Sequence, residues 1–342
     1  MPQFNWNDSA NFLSKLTWSR ALNMVRVYSS YHLSKWTKKS IQWGMPVSIS
    51  FEPTTSCNLR CPECPSGLRA FSRPTGMLKK DFFSETIDQL SKELTYLVFY
   101  FQGEPYLNPD FLNMVQYASS KKIYTATSTN AHYLNDANAK KTVESGLDRL
   151  IISIDGTTQD VYQQYRVGGK LSKVLEGAAK IVKWKNELKS KTPFIIFQFL
   201  VVRHNEHQIG EVHRLAKEIG VDQVRLKTAQ VYDYENDPNK LIPTLNKYSR
   251  YKKDADGKMK FKGNNENHCW RLWHDPVITW DGAVAPCCFD KDAKYKLGNL
   301  SQQSFKEVWN NKEYKDFRNK VLQSRSNIDI CANCSEGVKV WG

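Results

Sequence analysis

From residue 45 to residue 231 the chain switches repeatedly between two hydrophobic periods. Apolar, β-branched runs fall at 47–51, 96–101, 123–127, 150–154, 194–202 and 224–227. Between them, 79–94, 110–120, 136–145, 171–188 and 206–219 carry their apolar residues at helical spacing. The last of these stretches meets Gly220, a residue suited to a left-handed C-cap. Six strands over about 180 residues give about 30 residues per unit, the size of a βα repeat. Runs that are apolar almost throughout predict parallel strands covered by helices on their outer side. Six units are too few to close an eight-stranded barrel. The expected fold class is therefore α/β, as an open sheet or a partial barrel.

The pattern breaks on both flanks. Between Asp8 and Glu52 no residue is acidic, while Lys15, Arg20, Arg26, Lys35, Lys38 and Lys39 are basic. Phe12, Leu13, Leu16, Val25 and Tyr28 recur among them at roughly helical spacing, and Trp18, Trp36 and Trp43 add aromatic bulk. Such a helix suits peripheral contact with an anionic membrane or an acidic partner. It equally suits a cover for an open end of the next domain. Residues 232–268 are polar, and from Pro238 to Gly263 they hold eight basic and two acidic residues, which reads as a linker or covering loop. The expected organisation is a basic amphipathic segment at 1–44, the αβ repeat at 45–231, the covering segment at 232–268 and a small domain at 269–342. That last segment holds five of the eight cysteines in 74 residues, too short a span to rely on a large core, so a metal staple is expected.

Composition narrows the classes further. With 342 residues, 40% hydrophobic and 12% aromatic, wholesale disorder is excluded. The longest strongly apolar runs, such as 194–202, fall well short of the ~18 residues of a transmembrane helix. The first residues show no basic region followed by an apolar stretch, so a cytoplasmic chain is expected. In that compartment eight cysteines read as metal or redox ligands, not disulfides. The 49 Lys+Arg against 35 Asp+Glu leave +14. No recognised nucleic-acid module accompanies that charge, so a basic channel for phosphate, nucleotide-sugar or acidic peptide substrates is expected, and nucleic acid is not. There is no Walker A sequence, no His-Glu-x-x-His and no nucleophile elbow, and His204, His207 and His213 read as surface or capping residues.

The most informative words are cysteine-bearing. Cys57, Cys61 and Cys64 stand in C-x3-C-x2-C spacing directly after the first strand, at the end where parallel sheets place their sites. A structural zinc site wants four ligands. An iron–sulfur cube held by three thiolates keeps one iron open for another ligand. Zinc with a distant fourth ligand is the other reading.

This loop resembles the signature of the radical S-adenosylmethionine (SAM) enzymes, and the likeness extends over about residues 47–230. It implies a partial (β/α)6 TIM-like barrel in which Cys57, Cys61, Cys64 and SAM itself coordinate a [4Fe–4S] cluster. Gln102-Gly103-Glu104-Pro105 is similar to the family element that binds the SAM amino group, which implies that role for Gly103, Glu104 and Pro105. Thr129, Asn130 and Ser153 match family positions that contact the SAM ribose and carboxylate, and Arg166 is placed as a carboxylate clamp. Two positions depart from the family: Gln102 replaces the usual first glycine, and Glu63 stands where an aromatic residue is common. Both leave the adenine pocket open.

The second set, Cys269, Cys287, Cys288, Cys331 and Cys334, has a C-x17-C-C…C-x2-C layout. A zinc ribbon is one reading of it. The words around it, a hairpin at 280–288 and then Leu297-Gly298-Asn299-Leu300 and Glu307-Val308-Trp309-Asn310, are similar to the SPASM or twitch extension of radical SAM barrels. That resemblance implies one auxiliary [4Fe–4S] cluster on Cys269, Cys287, Cys331 and Cys334, with Cys288 a spare or substitute. The implied activity is hydrogen abstraction ending in a two-electron oxidation of a small polar metabolite, such as a sugar or aminocyclitol. Maturation of a ribosomally made peptide is the alternative, and a non-catalytic iron–sulfur carrier the third reading. A reductant such as flavodoxin or ferredoxin is implied as partner. No acid–base residue is singled out.

Overall fold

The computed structural model describes residues 5–263 and 266–337; residues 1–4, 264–265 and 338–342, which belong to the segments assigned above, lie outside the described residues. Two helices come first, α1 (Trp6–Ser14) and α2 (Trp18–Thr37). The chain then runs β1 (Ser48–Phe51), α3 (Pro65–Leu68), α4 (Lys80–Leu90), β2 (Tyr96–Phe99), α5 (Phe111–Ser120), β3 (Tyr124–Thr129), α6 (Asp136–Glu144) and β4 (Arg149–Ser153). It continues through α7 (Gln159–Tyr165), α8 (Leu171–Glu187), β5 (Phe194–Val201), α9 (Ile209–Ile219) and β6 (Gln223–Thr228). The remainder holds β7 (Tyr251–Lys253), β8 (Met259–Phe261), α10 (Arg271–His274), β9 (Val277–Ile278), β10 (Val284–Ala285), α11 (Phe305–Asn310), α12 (Lys312–Ser324) and α13 (Asp329–Ala332).

Strands β1 to β6 pair in parallel and in chain order, with Ser48 opposite Tyr96, Leu97 opposite Thr125 and Leu150 opposite Ile195. Ile49, Phe51, Leu97, Phe99, Ile152 and Phe197 belong to the main core beneath the helices. Their neighbours in the strands point to the other, concave face, because side chains alternate along a strand. That face carries Ser128, Ser153 and Gln198 near the C-terminal ends of the strands. The short helix α7 has no counterpart in the periodicity. Its seven residues are too few to set up a hydrophobic stripe, and its C-cap is Arg166.

The hairpin expected at 280–288 forms, with very short strands, and it does more than feed two cysteines. Its first strand, β9, pairs in parallel with β1, Ser50 opposite Val277, and β10 pairs antiparallel to β9. The sheet order becomes β10-β9-β1-β2-β3-β4-β5-β6. The otherwise unpaired edge of β1 is thereby satisfied: Ser50 N–H donates to Pro276 O (3.0 Å) and Glu52 N–H to Ile278 O (2.9 Å). Trp273, Trp309 and Tyr314 of the cysteine-rich segment share one apolar cluster with Val27, Tyr31 and Ile49.

The N-terminal helices close the end of the sheet opposite the cysteine loop. Asp8 accepts hydrogen bonds from the Tyr124 hydroxyl and from Arg149, the first residues of β3 and β4. Asn11 and Lys15 both reach Asp148, at 2.8 and 3.1 Å. The buried Arg20 guanidinium donates to the carbonyls of Lys15 (2.7 Å), Ser91 (2.8 Å), Lys121 (2.9 Å) and Lys122. From α2, the Tyr31 hydroxyl bonds His268 Nδ1 (2.8 Å), and beyond the helix Ile41 O and Gly44 O accept from the indoles of Trp273 and Trp309 (2.9 Å each). The buried face of this segment covers the N-terminal ends of the strands. Residues 232–263 fold over the other end, where Leu241, Ile242 and Tyr251 are buried with Leu59 and Cys61.

Four carbonyls lose their donor in an Arg20→Ala protein, and a buried charge-assisted hydrogen bond contributes about 1.5–3 kcal/mol. With partial relaxation, urea unfolding should show a loss of about 3 kcal/mol. A loss below about 1 kcal/mol would mean that the N-terminal cover is not coupled to the barrel.

Candidate active site

The loop after β1 is a long excursion closed at its base. Arg73 forms a two-pronged pair with buried Glu52, its Nη1 donating to Oε2 at 2.8 Å and its Nη2 to Oε1 at 2.5 Å. Thr55 N–H donates to Gly76 O (3.1 Å). Within the loop, Cys64 precedes α3, and Gly67 of that helix lies so close that a Cβ there would stand 2.6 Å from Cys61 N. The Gly103 turn is locked onto the same loop. Its φ is +75°, and a Cβ would stand 2.1 Å from Thr54 O. Gly103 N–H donates to Ser66 Oγ and Glu104 N–H to Ser56 O, both at 2.8 Å.

These contacts bring the predicted residues together. A cavity of about 270 Å³ is lined by Cys57, Cys61 and Cys64 and by Gly103, Glu104, Thr129, Asn130, Ser153 and Arg166. Pro105 is the exception. It opens a one-turn helix (Pro105–Leu107) behind Glu104 and sets the backbone without lining the cavity. Tyr100, Gln198 and Lys291 also line it, and the sequence reading did not single them out. Gln198 had a signal, since it is the lone polar residue of an apolar strand. Lys291, in a loop, had none.

Donors converge on the sulfurs. Asn130 Nδ2 lies 3.8 Å from Cys57 Sγ, Leu59 N–H 3.4 Å from the same atom, and Arg166 Nη1 3.7 Å from Cys61 Sγ. Burial pushes the Cys57 thiol up to about 11 and also raises Cys61. Without metal these thiols are protonated at neutral pH, and loading releases their protons. Burial works against the charge of Arg166, but Asp155, which accepts from its Nε, and Cys61 outweigh it and hold the guanidinium charged. Glu104 is buried and accepts from Thr129 Oγ1 (2.6 Å), Asn130 N–H (2.8 Å) and Tyr106 N–H (3.3 Å). Desolvation dominates those bonds and raises its carboxyl to about 7.

In the second set, Cys269 leads into α10, Cys287 follows β10, and Cys331 and Cys334 sit in and just after α13. Burial raises Cys334 to about 12, and Cys269 and Cys331 act on it in the same direction. Burial also raises Cys287, which lies in the field of Cys288, Cys269 and Cys334. Cys288 has neighbours of its own: its Sγ is 3.8 Å from Arg271 Nη1, and it packs beside Phe101, Val277 and Ala285. A Cβ at Gly337 would lie 2.4 Å from Cys269 Sγ, so the backbone leaves room at the sulfur that only glycine allows. Buried Arg325, held on His268 O (3.0 Å) and Glu336 O (2.7 Å), sits in the field of Cys269, Cys334 and Cys331 and offsets thiolate charge there. The donor sets therefore fit thiolate-bound clusters at both places.

Two family models match the chain, the radical SAM superfamily over residues 51–216 and the SPASM iron–sulfur cluster-binding domain over residues 269–335. The chain belongs to the radical SAM superfamily. Its relatives include the tungsten-containing aldehyde ferredoxin oxidoreductase cofactor-modifying protein of Pyrococcus furiosus, 29% identical over 84% of this chain and 86% of that one. The PqqA peptide cyclase of Gluconobacter oxydans is 22% identical over 87% of this chain and 85% of its own. The structure of BtrN in complex with AdoMet and 2-DOIA shares the fold, with a TM-score of 0.52 and 17% identity over 85% of this chain and 94% of that one. The radical SAM fold binds a [4Fe–4S] cluster and SAM, and the SPASM domain adds auxiliary iron–sulfur binding.

The different neighbours of the paired cysteines set an iron-content test. A Cys288→Ser protein should keep about eight irons per chain after anaerobic reconstitution, whereas Cys287→Ser should fall to about four. Equal iron in the two variants would mean that the cysteines substitute for each other.

Proposed function

We propose that this radical SAM enzyme oxidises a small polar metabolite by two electrons. Cys57, Cys61 and Cys64 would hold the cluster whose open iron takes SAM, and Cys269, Cys287, Cys331 and Cys334 the auxiliary cluster. The observation that carries the reading is the single cavity shared by the three loop cysteines and the ends of β2, β3 and β4. When bound, the reduced cluster supplies the electron that cleaves SAM to methionine and a 5′-deoxyadenosyl radical. The chain's own residues position and shield. Glu104, once ionised, would attract the SAM ammonium, and Arg166, already fixed on Asp155, would meet the carboxylate. Thr129 and Asn130 hold the Glu104 carboxylate in place, and Ser153 would meet the ribose or carboxylate. Leu241, Ile242 and Tyr251 exclude water above Cys61.

Five cysteines beyond residue 268 suffice for one protein-ligated auxiliary cluster, which suits an electron acceptor for a metabolite radical. A flavodoxin or ferredoxin would deliver the first electron. Modification of a ribosomally made peptide is the second reading, supported by the likeness to a peptide cyclase over most of both chains.

The proposed roles have a pH signature that needs no substrate. Reduced with dithionite, the protein should form 5′-deoxyadenosine slowly, and Cys61→Ala should form none. Glu104 is neutral below about pH 7 and ionised above it. The ionised fraction rises about tenfold from pH 6 to pH 8, so the SAM concentration for half-maximal cleavage should fall by a similar factor. A flat profile would remove Glu104 from ammonium binding.

No helix among the described residues is long and apolar enough to cross a membrane. The outer face of α2 is nonetheless apolar: Trp18, Leu22, Val25 and Trp36 are 91, 50, 60 and 81% exposed along one stripe. Arg26, Lys35, Lys38 and Lys39 accompany them, with no acidic residue from Ser9 to Phe51. Tryptophan beside lysine and arginine suits the headgroup region of an anionic bilayer, and we propose this face as a peripheral membrane contact. The protein should float with phosphatidylglycerol vesicles and not with phosphatidylcholine ones, and Trp18→Ser/Trp36→Ser should abolish flotation. Unchanged flotation of that variant would exclude α2 as the contact.

A further inference from the structure

Cations that the proposed chemistry does not use collect on the concave side of the barrel. Val224 and Leu226 of β6 pack against the main core. Arg225 and Lys227 alternate with them, so both project from the opposite face of the open edge strand. Arg250 arrives from the covering segment and is tied to the end of the same strand, its Nε donating to Thr228 Oγ1 (2.8 Å) and Thr228 O (3.2 Å). Its Nη1 is buried with no hydrogen-bond partner. Lys291 lines the cavity that holds Cys64, Ser153 and Gln198.

Among the described residues, none of these four cations belongs to an ion pair. The nearby acids are engaged elsewhere: Asp8, which acts on Arg225, accepts from the Tyr124 hydroxyl and from Arg149. Glu336 lies 3.5 Å from Arg271, which also pairs with Asp275 at 2.7 Å, and Glu63 accepts from Tyr232 N–H at 2.9 Å. Surrounding protein lowers the pKa of Lys227, and although Glu336 opposes this, Arg225, Arg271 and Arg250 lower it further. Burial likewise lowers Lys291, against the pull of Cys64, Glu63 and Cys288 and with Arg250 acting in the same direction as burial. Crowded unpaired cations cost stability, and a fold retains them where an anion comes to bind. Lys291 has Cys64 among its largest influences and could serve the cluster instead. Lys227 does not: the charges that act on it most are one carboxylate and three guanidiniums, with no thiol among them.

We propose that Arg225, Lys227, Arg250 and Lys291 form an anion-recognition site and that the substrate carries a phosphate or carboxylate group held there. The inference that this anion belongs to the substrate rests on the radical SAM reading of the adjoining cavity; anion binding by the four residues does not. A planar guanidinium takes two oxygens at once, and Arg250 would join the covering segment to β6 through the bound group.

Phenyl phosphate and benzoate share a ring and differ in the anionic head, with phenol as the uncharged control, and their binding to the reconstituted enzyme is measurable by titration calorimetry. At least one anion should bind and phenol should not. Phenyl phosphate binding tighter assigns a phosphorylated substrate, benzoate tighter a carboxylated one. Lys227→Gln and Arg250→Gln should each weaken the preferred probe by at least about tenfold, the loss of one charge-assisted contact. Lys227→Arg should keep most of the affinity. Circular dichroism and iron content show whether each variant is folded and loaded. Failure of both anions to bind, or folded glutamine variants that bind like the parent, would overturn the site. Absence of 5′-deoxyadenosine from the parent enzyme would instead sink the radical reading and leave the titration standing.

Discussion

The close approach of one backbone to another at Gly103 is the constraint on which the site depends. A turn with φ of +75° presses against Thr54 and Ser56 so tightly that a Cβ would meet Thr54 O at 2.1 Å. It joins the end of β2 to the excursion that carries Cys57, Cys61 and Cys64. Without that contact the three cysteines would sit on an unsupported loop, because nothing inside C-x3-C-x2-C makes regular structure until α3 begins. Glu104, one residue on, is carried by the same lock into its contacts with Thr129 and Asn130. One steric condition thus sets the places of the cysteines and of the carboxyl together.

The ends of the barrel divide the work. At the N-terminal ends of the strands, Asp8, Lys15 and Arg20 of the leading helices satisfy Tyr124, Arg149, Asp148 and several loop carbonyls, an arrangement concerned with stability. At the C-terminal ends stand the thiols, the raised carboxyl of Glu104 and the unpaired cations, an arrangement that costs stability and is arranged for ligands. The cysteine-rich segment reaches both through β9 on the edge of β1 and through the tryptophans that bond Ile41 and Gly44. The sheet, the N-terminal cover and the auxiliary-cluster segment therefore share one main core.

Charge follows the same geography. The positive excess is spread along the chain: the covering segment 232–268 holds eight basic and six acidic residues, and α2 three basic ones. The part with chemical consequences is small and lies along the open edge: β6 alternates core residues with half-buried Arg225 and exposed Lys227, and a loop arginine comes to join them.

Strand and helix order, the parallel sheet, the cysteine loop, the strand-end residues Gly103, Glu104, Thr129, Asn130 and Ser153, and Arg166 beyond them were legible in the chain as residues that line one cavity. Each is encoded locally, by a period of apolar residues or by a short word at a strand end. The pairing of β9 with β1 was not, because two residues of strand have no period, and an edge is recognised only once the sheet exists. Nor was the difference between Cys287 and Cys288, adjacent residues of one type in the bend and turn after β10 that meet different neighbours, nor the entry of Lys291 into the cavity from a loop. Arg225 and Lys227 read as ordinary charged positions of a weak strand. The sequence by itself determined the residue types and their order along the strands. Tertiary structure decided which of them face one another, since that depends on close contacts between segments more than 200 residues apart.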